Sequence, residues 1–320
     1  MVNRSVFIRH ICALASVVMV AITCPAENQN MPRTRFEIKE NTHTQMHAIV
    51  LHSVVPVRLE PREGAEQETQ LLFGEVCQIT ETLPRWYKIR NEADGEEGYV
   101  DAIMITPMSD EEYTAHSAAL SSGRARVKMP MTYAVSENNQ QTIPLTLGTR
   151  LPNYTNGQFE VLGVTFRIDS ASVAEQPLPL NANTLMQVTR FLLNTPYLWG
   201  GKNALGLDCS GLTQTVMSLF GTDLPRNASQ QAKCGTEVKQ LKDAQAGDLV
   251  FFDHADPNCE GTLPHNCTNN TRIIHVGLLL DAERVLHCSG RVKIERIDER
   301  GIWSAERQAY SHHLAAIRRL

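Results

Sequence analysis

Two apolar segments near the C-terminal end of the chain each carry one histidine, and this pair limits the folds that the chain can adopt. The segments read IIHVGLLL and RVLHCSG. Because side chains alternate along a strand, His275 and His287 are predicted to share one face of a sheet. A turn at residues 281–283 makes the strands an antiparallel hairpin and the two rings near or diagonal neighbours. The C-terminal part must therefore build a sheet that holds two imidazoles together.

A predicted helix that starts at a cysteine comes before these strands. In DCSGLTQTVMSLFG, Leu212, Val216 and Leu219 fall on one helical stripe, which is predicted to pack on the sheet and leave the first turn accessible. Cys209 lies in that first turn, where unpaired backbone N–H groups and the helix dipole favour the thiolate, so we expect a lowered pKa. A lone cysteine is usually a small buried hydrophobe. A lone histidine in an apolar strand is usually a core residue, but the three together favour a catalytic site.

These residue types suit acyl transfer. Cys209 is the predicted nucleophile, His275 the base that exchanges a proton with it, and His287 the group that orients the base. The backbone N–H of Cys209 is predicted to meet the oxyanion of the tetrahedral intermediate. Tyr197, in the turn before the helix, is a candidate to place its hydroxyl there, and packing of the ring within that turn is an equal alternative.

The order of predicted elements indicates three folded parts. From residue 183 to 320, helices come first and antiparallel strands afterwards, which predicts an α+β domain. Short apolar runs separated by turn residues predict a small β-barrel at residues 46–107, and a fainter repeat of this pattern predicts a second one at 124–173. A helical connector, MSDEEYTAHSAAL, joins the two barrels, and AEQPLPL is a stiff linker.

Composition excludes several classes of protein. With 42% apolar and 20% charged residues, the chain is globular rather than fibrous or disordered. Its 30 Lys and Arg against 35 Asp and Glu leave a net charge of −5, which offers no positive field for a nucleic acid partner. We expect a monomer that needs no metal and no cofactor.

The first 26 residues predict a cleaved export signal. Arg4 and Arg9 precede an apolar run that ends near Thr23 and is too short to span a bilayer. Cleavage after Ala26 places the mature protein in the periplasm or cell envelope, and no later segment is predicted to span a membrane. Lipid attachment at Cys24 is the alternative, which Thr23 disfavours because such sites usually carry a smaller residue there.

A polar loop between the predicted strands contains two further cysteines. Cys259 and Cys267 bracket it, and an exported protein allows a disulfide between them. A disulfide or two free thiols are favoured over a zinc site with His254 and His265, because the paired CxxC spacing of such sites is missing.

The chemistry-bearing segments resemble a known family. PYLWGGKNALGLDCSGLTQTV, LPRNASQQA, AGDLVFFD, IIHVGLLL and VLHCSG are similar to the NlpC-type cysteine peptidases, papain-like hydrolases of bacterial cell-wall peptides. The resemblance covers residues 183–320. It implies a nucleophile at Cys209, a base at His275, a third polar residue at His287 and a supporting role for Tyr197.

With two barrels read as bacterial SH3-like domains, the chain resembles the subgroup that cuts γ-D-glutamyl to L-diamino acid bonds in murein peptides with a free N-terminal L-Ala. In that subgroup the first barrel helps to recognise the substrate's ammonium group, which implies a carboxylate at Glu75; a solvated turn glutamate is the alternative. The subgroup often has an aromatic residue where DGEEGYV places Glu96, with Tyr99 close by. Further residues match positions that line the peptide site, namely Trp199, Asp208, Ser210, Arg226 and Ser229.

Three alternatives stay open at this point. Asp208 has a second interpretation as the N-cap of the helix. The whole chain has a second interpretation as a non-catalytic wall-binding protein, which an intact triad disfavours. The same scaffold also suits an amidase or an acyltransferase, because water or an amine can intercept one thioester.

Overall fold

The computed structural model describes residues 45–253 and 273–320. The predicted export signal with Cys24, and the loop with Cys259 and Cys267, lie outside these residues. Four cysteines lie within them as free thiols, namely Cys77, Cys209, Cys234 and Cys288. Within the same ranges, every helix is too short or too polar to cross a bilayer.

Residues 46–107 form one antiparallel sheet of short strands. The strands are β1 (Met46–Ile49), β2 (Val54–Arg58), β3 (Gln67–Leu72), β4 (Val76–Thr82), β5 (Trp86–Asn91), β6 (Glu97–Asp101) and β7 (Thr106–Pro107), with a 3-10 turn at Ala102–Met104. Their order across the sheet is β3-β2-β6-β5-β4-β1-β7. Side chains alternate as predicted, since Val55 and Val57 are buried while their neighbours in β2 are partly exposed. The predicted barrel region is therefore a curled sheet around its own apolar core.

The predicted helical connector is α1 (Asp110–Ser122). It begins with a capping box, in which the Ser109 hydroxyl accepts from the Glu112 backbone N–H at 3.2 Å and the Glu112 carboxylate accepts from the Ser109 N–H at 2.8 Å. Acidic residues in its first turn also interact favourably with the positive end of the helix dipole. The local sequence thus fixes where this helix starts.

A second β unit follows. Its strands are β8 (Arg126–Val127), β9 (Met131–Ser136), β10 (Thr142–Thr146), β11 (Gln158–Val161), β12 (Val164–Ile168) and β13 (Val173–Ala174), with a 3-10 turn at Ser170–Ser172. They form a four-stranded sheet, β10-β9-β12-β11, and a two-stranded one, β13-β8. Phe73 of the first unit packs edge-on against Phe166 at 5.5 Å and Phe159 at 6.3 Å, so the two units share a core. That this unit is a second SH3-like domain stays a prediction.

The C-terminal domain places helices before an antiparallel barrel. Its elements are α2 (Ala182–Thr189), β14 (Lys202–Asn203), β15 (Gly206–Leu207), α3 (Cys209–Ser218), α4 (Ala228–Gln231), β16 (Thr236–Glu237), a 3-10 turn (Leu241–Asp243), β17 (Leu249–Asp253), β18 (His275–Leu279), β19 (Arg284–Ser289), β20 (Arg291–Asp298), β21 (Gly301–Ser304) and β22 (Ala309–Arg319). The order is β16-β22-β17-β18-β19-β20-β21, and β21 also pairs with β22. Strands β17 to β22 therefore close on themselves, and the predicted α+β arrangement is confirmed.

Helix α3 packs on this barrel through the predicted stripe. Leu212 and Val216 are fully buried and belong to the same core cluster as Val276 and Leu286 of the barrel strands. Burying each such side chain contributes about 1.5–3 kcal/mol. This packing brings the start of α3 to the strand that begins with His275.

Charged and polar groups tie the first unit to the C-terminal domain. The Lys202 ammonium lies 3.0 Å from Glu75 Oε1 and 3.8 Å from Asp94 Oδ2, and Lys202 is only 5% exposed. The Gln70 side-chain oxygen Oε1 accepts from the Lys202 backbone N–H and from the Asn203 side-chain amide, both at 2.8 Å. These contacts hold β3 of the first unit against the β14–β15 hairpin.

We predict that Lys202→Met lowers the free energy of unfolding by about 3 kcal/mol, because it leaves two carboxylates in a buried place without their counter-charge. Urea unfolding of the purified protein measures the change. The matched control, Lys239→Met, removes an exposed ammonium and should change the free energy of unfolding by no more than about 0.5 kcal/mol. A loss below about 1 kcal/mol for Lys202→Met would show that the junction tolerates the unpaired carboxylates.

Candidate active site

The start of α3 is held by Asp208, its N-cap residue. Asp208 Oδ1 accepts from the Gly211 backbone N–H at 2.6 Å, and Oδ2 accepts from the Gly200 N–H at 2.9 Å. Such bonds satisfy N–H groups that have no partner inside the helix. The N-cap interpretation of Asp208 is therefore confirmed, and Cys209 is the first residue of the helix.

A buried arginine binds this cap. Arg226 is 1% exposed and donates to Asp208 Oδ1 at 3.0 Å, to the Ser210 hydroxyl at 2.9 Å and to the Thr69 hydroxyl at 2.8 Å. Burial opposes the charge, but the adjacent carboxylate of Asp208 raises the pKa of Arg226, which therefore stays cationic. Asp208, Ser210 and Arg226 were all expected near the peptide site. The structure shows them fixing the helix start and linking it to β3 of the first unit.

Gly211 permits the close approach of this helix to the preceding turn. A Cβ atom at position 211 would lie 2.1 Å from the Gly201 carbonyl oxygen, a distance that no side chain tolerates. The glycine in DCSG therefore serves packing, because it lets the turn press against the first helical turn.

Cys209 is buried rather than open, and its ionisation differs from the sequence-based expectation. Burial raises the pKa of the Cys209 thiol to about 11, and the charge of Asp208 adds to the rise. Hydrogen bonds from the backbone at Val276 and Ser210 act in the opposite direction but are weaker. The predicted lowering of the pKa by the helix start is therefore wrong for the free protein. At neutral pH the sulfur carries its proton.

The two histidines meet as predicted. His275 Nε2 lies 2.9 Å from His287 Nδ1, with the rings nearly perpendicular. In the strand register His287 pairs with Gly277, two residues beyond His275, so the rings are diagonal neighbours on one face. Cys209 contacts the backbone of Val276, the residue next to His275. The structure thus joins His275 directly to His287 and places Cys209 against the strand that begins with His275.

A fourth group extends this chain of contacts. His287 Nε2 lies 2.9 Å from Glu295 Oε2, and Lys293 Nζ lies 3.2 Å from the same oxygen. Burial opposes the ionisation of Glu295, but the hydrogen bonds and charges of His287 and Lys293 lower the pKa of Glu295 to about 2. Glu295 is not among the site residues predicted from the sequence. Strand alternation extended to VKIERID finds it, because Lys293 pairs with His287 and Glu295 is the next residue on that face.

The hydrogen-bond chain selects one tautomer of each ring. An ionised Glu295 only accepts, so His287 donates from Nε2 and must accept at Nδ1 from the Nε2–H of His275. Nδ1 of His275 then carries a lone pair. Burial, and next the charge of His287, lower the pKa of His275 well below its ordinary value, so the ring is neutral at pH 7. His275 is therefore a free base.

A third imidazole lies beside these two. Nitrogens of His275, His287 and His312 lie within 4.8 Å of one another, close enough for a metal ion to be considered. The facing nitrogens of His275 and His287 already share a proton, and the His312 ring stacks on the His275 ring instead of sharing its plane. The arrangement fits hydrogen bonding and stacking better than metal ligation.

Tyr197 lies in the turn before α3, as predicted, and packs partly buried against the core that contains Cys209. Burial, followed by the charges of Cys209 and Asp208, raises the pKa of Tyr197 far above its ordinary value. Its hydroxyl therefore keeps its proton and can donate a hydrogen bond. Both interpretations of Tyr197, packing and donation, are compatible with this position.

The remaining predicted residues are dispersed. Trp199 is 57% exposed, and its carbonyl oxygen accepts from Gln67 at 2.9 Å. Ser229 is exposed on α4, and Tyr99 is half-buried in β6. The Glu75 carboxylate already binds Lys202 and lines a small open cleft, whose lining does not include Cys209. Glu75 thus contributes to the junction between units.

Two other carboxylates of the first unit, Glu68 and Glu96, interact electrostatically with Arg226. Burial raises the pKa of Glu68, and the charge of Glu66 raises it further. Burial also raises the pKa of Glu96, whose carboxylate accepts from the Asn227 amide at 3.1 and 3.2 Å. Glu68 and Glu96 repel each other and both feel Arg226. Half-buried negative charge of this kind favours a cationic ligand.

Comparisons with known proteins agree with this geometry. The sequence pattern of the NlpC/P60 family matches residues 194–311, and that of the bacterial dipeptidyl-peptidase SH3 domain matches residues 57–102. The chain is 29% identical over 232 residues to the gamma-D-glutamyl-L-lysine dipeptidyl-peptidase of Bacillus subtilis strain 168, covering 69% of this chain and 71% of the relative. It is 28% identical over 233 residues to dipeptidyl-peptidase 6 of Lysinibacillus sphaericus, covering 65% and 82%.

A solved structure shares the fold. The crystal structure of an NlpC/P60 family protein from Bacillus cereus ATCC 10987 superposes with a TM-score of 0.67, covering 85% of this chain and 99% of that one at 17% identity. The strand-rich barrel, the helix that starts at Cys209 and both sequence patterns give one assignment. The C-terminal part of this chain is an NlpC/P60 domain, preceded by a bacterial dipeptidyl-peptidase SH3 domain.

Proposed function

We propose that this protein is an exported cysteine endopeptidase that hydrolyses the γ-D-glutamyl to L-diamino acid bond of murein peptides with a free N-terminal L-Ala. The observation that carries the proposal is the hydrogen-bonded chain from His275 through His287 to Glu295, beside a cysteine at a helix start. The name of the relative in Bacillus subtilis, gamma-D-glutamyl-L-lysine dipeptidyl-peptidase, supports this bond, and the name of the relative in Lysinibacillus sphaericus, dipeptidyl-peptidase 6, supports the release of a dipeptide.

The first step transfers one proton and forms one bond. Because Cys209 is a thiol and His275 is neutral, the proton passes from sulfur to His275 Nδ1 as the sulfur attacks the γ-carbonyl carbon of the D-Glu residue. The imidazolium that results is stabilised through His287 by the ionised Glu295. Attack by the neutral thiol, with proton transfer to His275, replaces a resting thiolate–imidazolium pair, which burial of both groups disfavours.

The second step breaks the amide bond. The oxyanion of the tetrahedral intermediate accepts from the Cys209 backbone N–H and from the protonated hydroxyl of Tyr197. His275 then returns its proton to the leaving amine, and a thioester remains on Cys209. Water, deprotonated by His275, attacks the thioester and releases L-Ala-D-Glu with the thiol restored.

The free ammonium of the substrate binds between Glu68 and Glu96. Both carboxylates come from the SH3 domain, and both interact with Arg226, which itself contacts Ser210 next to the nucleophile. An ammonium group relieves the repulsion between the two carboxylates and forms charge-assisted hydrogen bonds with them. Glu75, the carboxylate implied by the sequence resemblance, is the less suitable candidate because Lys202 already neutralises it.

We predict that the mature protein releases L-Ala-D-Glu from L-Ala-γ-D-Glu-L-Lys and from the diaminopimelate analogue, as detected by mass spectrometry. Cys209→Ala should lower the rate by at least about 1,000-fold, since no other group forms the thioester. The matched control is Cys234→Ala, which removes a partly exposed thiol that donates to the Gln230 carbonyl oxygen in its own turn. Undiminished release by Cys209→Ala would reject the proposed nucleophile.

We predict that Glu295→Gln lowers kcat by about 100-fold or more, because an amide can donate to His287 Nε2 and so reverse both tautomers. Reversal places a proton on His275 Nδ1, which then cannot accept one from the thiol. Glu306→Gln is the control, since Glu306 is an exposed carboxylate that also contacts Lys293. Wild-type kcat for Glu295→Gln would show that Glu295 does not set the tautomer.

We predict that Glu68→Gln and Glu96→Gln each raise KM about 10-fold for the free-amine substrate, the cost of one charge-assisted contact. An N-acetylated substrate should be poor for every variant, and Glu75→Gln should leave KM unchanged. Because burial raises the pKa of both carboxylates, KM should rise on acidification at a higher pH than ordinary glutamates would give. An increase in KM confined to Glu75→Gln would restore that residue as the ammonium contact.

A further inference from the structure

We propose that His312 is a positioning residue, whose ring lies over the ring of His275 and holds this base in the orientation that proton transfer requires. The inference rests on the proposed function for the role of His275. Neither the sequence segments that resemble the family nor the predicted triad includes His312.

The first observation is the stacking itself. The ring centroids of His275 and His312 are 4.2 Å apart with an interplanar angle of 23°. His312 also meets the edge of His287 at 5.7 Å and of Phe252 at 5.9 Å. The His312 ring therefore covers one face of His275, and His287 binds its Nε2. These two contacts fix the direction in which Nδ1 of His275 points.

The second observation is the irregular backbone around His312. In the pairing of β21 with β22, Ile302 lies opposite His312 and Trp303 opposite Tyr310, so Ser311 is an extra residue. In the pairing of β17 with β22, Phe251 lies opposite Ala316 and Phe252 opposite Leu314, so Ala315 is another. β-bulges change the direction in which a side chain points. His312 lies between these two bulges.

The third observation is that neighbouring residues fix the His312 ring. The Ser311 hydroxyl lies 2.9 Å from His312 Nδ1. This hydrogen bond limits rotation of the imidazole ring about its side-chain bonds. Gly301, with a φ of +134°, comes so close that a Cβ atom there would lie 1.9 Å from the His312 carbonyl oxygen. Only glycine permits this approach of β21 to the bulged part of β22. Several independent contacts therefore place one ring over the base.

The position of the base matters because proton transfer depends steeply on geometry. A displacement of about 1 Å in a reacting group can lower a rate by about 100-fold. The His312 ring also excludes water from one face of His275, which keeps that imidazole neutral in the free protein. Burial, and next the charge of His287, lower the pKa of His312 to about 4, so it adds no positive charge at neutral pH.

Other charges around the two rings bear on any pH measurement. The groups that act on His275 are His287, His312 and Lys293. The groups that act on His312 are His287, Glu295, Arg307 and Lys293. Loss of the His312 ring removes burial from His275 and leaves the other charges in place, so the pKa of His275 should rise towards 6.5.

Two substitutions test the proposal. His312→Ala removes the ring, whereas His312→Phe keeps a flat ring of similar size without the nitrogens. We expect His312→Ala to lower kcat about 30-fold with KM within about twofold, and to move the acidic limb of the kcat/KM profile to higher pH. His312→Phe should retain kcat within about threefold and leave that limb in place. His313→Ala, on the alternate face of β22, is the control.

A second measurement does not depend on turnover. NMR titration of histidine-labelled Cys209→Ala protein should show a higher pKa for His275 when His312→Ala is added and no change when His312→Phe is added. If the titration behaves in this way and murein peptides are not cleaved, the positioning role stands and the proposed substrate fails. Unchanged kcat and an unchanged His275 pKa in folded His312→Ala protein, or equal losses in the alanine and phenylalanine variants, would overturn the inference.

Discussion

The buried ion pair between Arg226 and Asp208 is the interaction on which the rest of this structure depends. It joins the cap of the helix that carries Cys209 to Thr69 in the SH3 domain, so one guanidinium holds both the start of that helix and the neighbouring SH3 domain. A buried pair of this kind adds little net stability, because both ions lose their hydration. Its value here is geometric, because the guanidinium that binds the helix cap also binds the Thr69 hydroxyl.

A dry environment determines the chemistry at this helix start. Burial opposes charge on the Cys209 sulfur and on the His275 ring, and both groups are neutral in the free protein. The full negative charge in this series of contacts lies on Glu295, which is separated from His275 by His287. His287 and Lys293 stabilise that charge. In the proposed mechanism, charge therefore forms at Cys209 and His275 only when a proton leaves the sulfur, and Glu295 is already in place to stabilise the resulting imidazolium.

The relative positions of the two histidines and of the helix that starts at Cys209 were largely predictable from the sequence, and the contacts of Glu75 were not. Alternation along IIHVGLLL and RVLHCSG placed His275 and His287 together because both strands are regular, and the helical stripe placed Cys209 beside them. The same alternation did not identify His312, because two bulges interrupt the regular pattern of β22. Glu75 was assigned to the ammonium group from resemblance, whereas its charge is matched by Lys202, a residue 127 positions away.

The sequence by itself determined the local features: the capped helix at Cys209, the hairpin that pairs the histidines, the capping box of α1 and the order of helices and strands. Each depends on neighbours within a few residues, for which spacing and residue type are sufficient. The tertiary structure alone decided the ionisation of Cys209, the partner of Glu75, the repulsion between Glu68 and Glu96, and the ring above His275. Those properties depend on burial and on charges from distant parts of the chain, and neither is a function of local spacing.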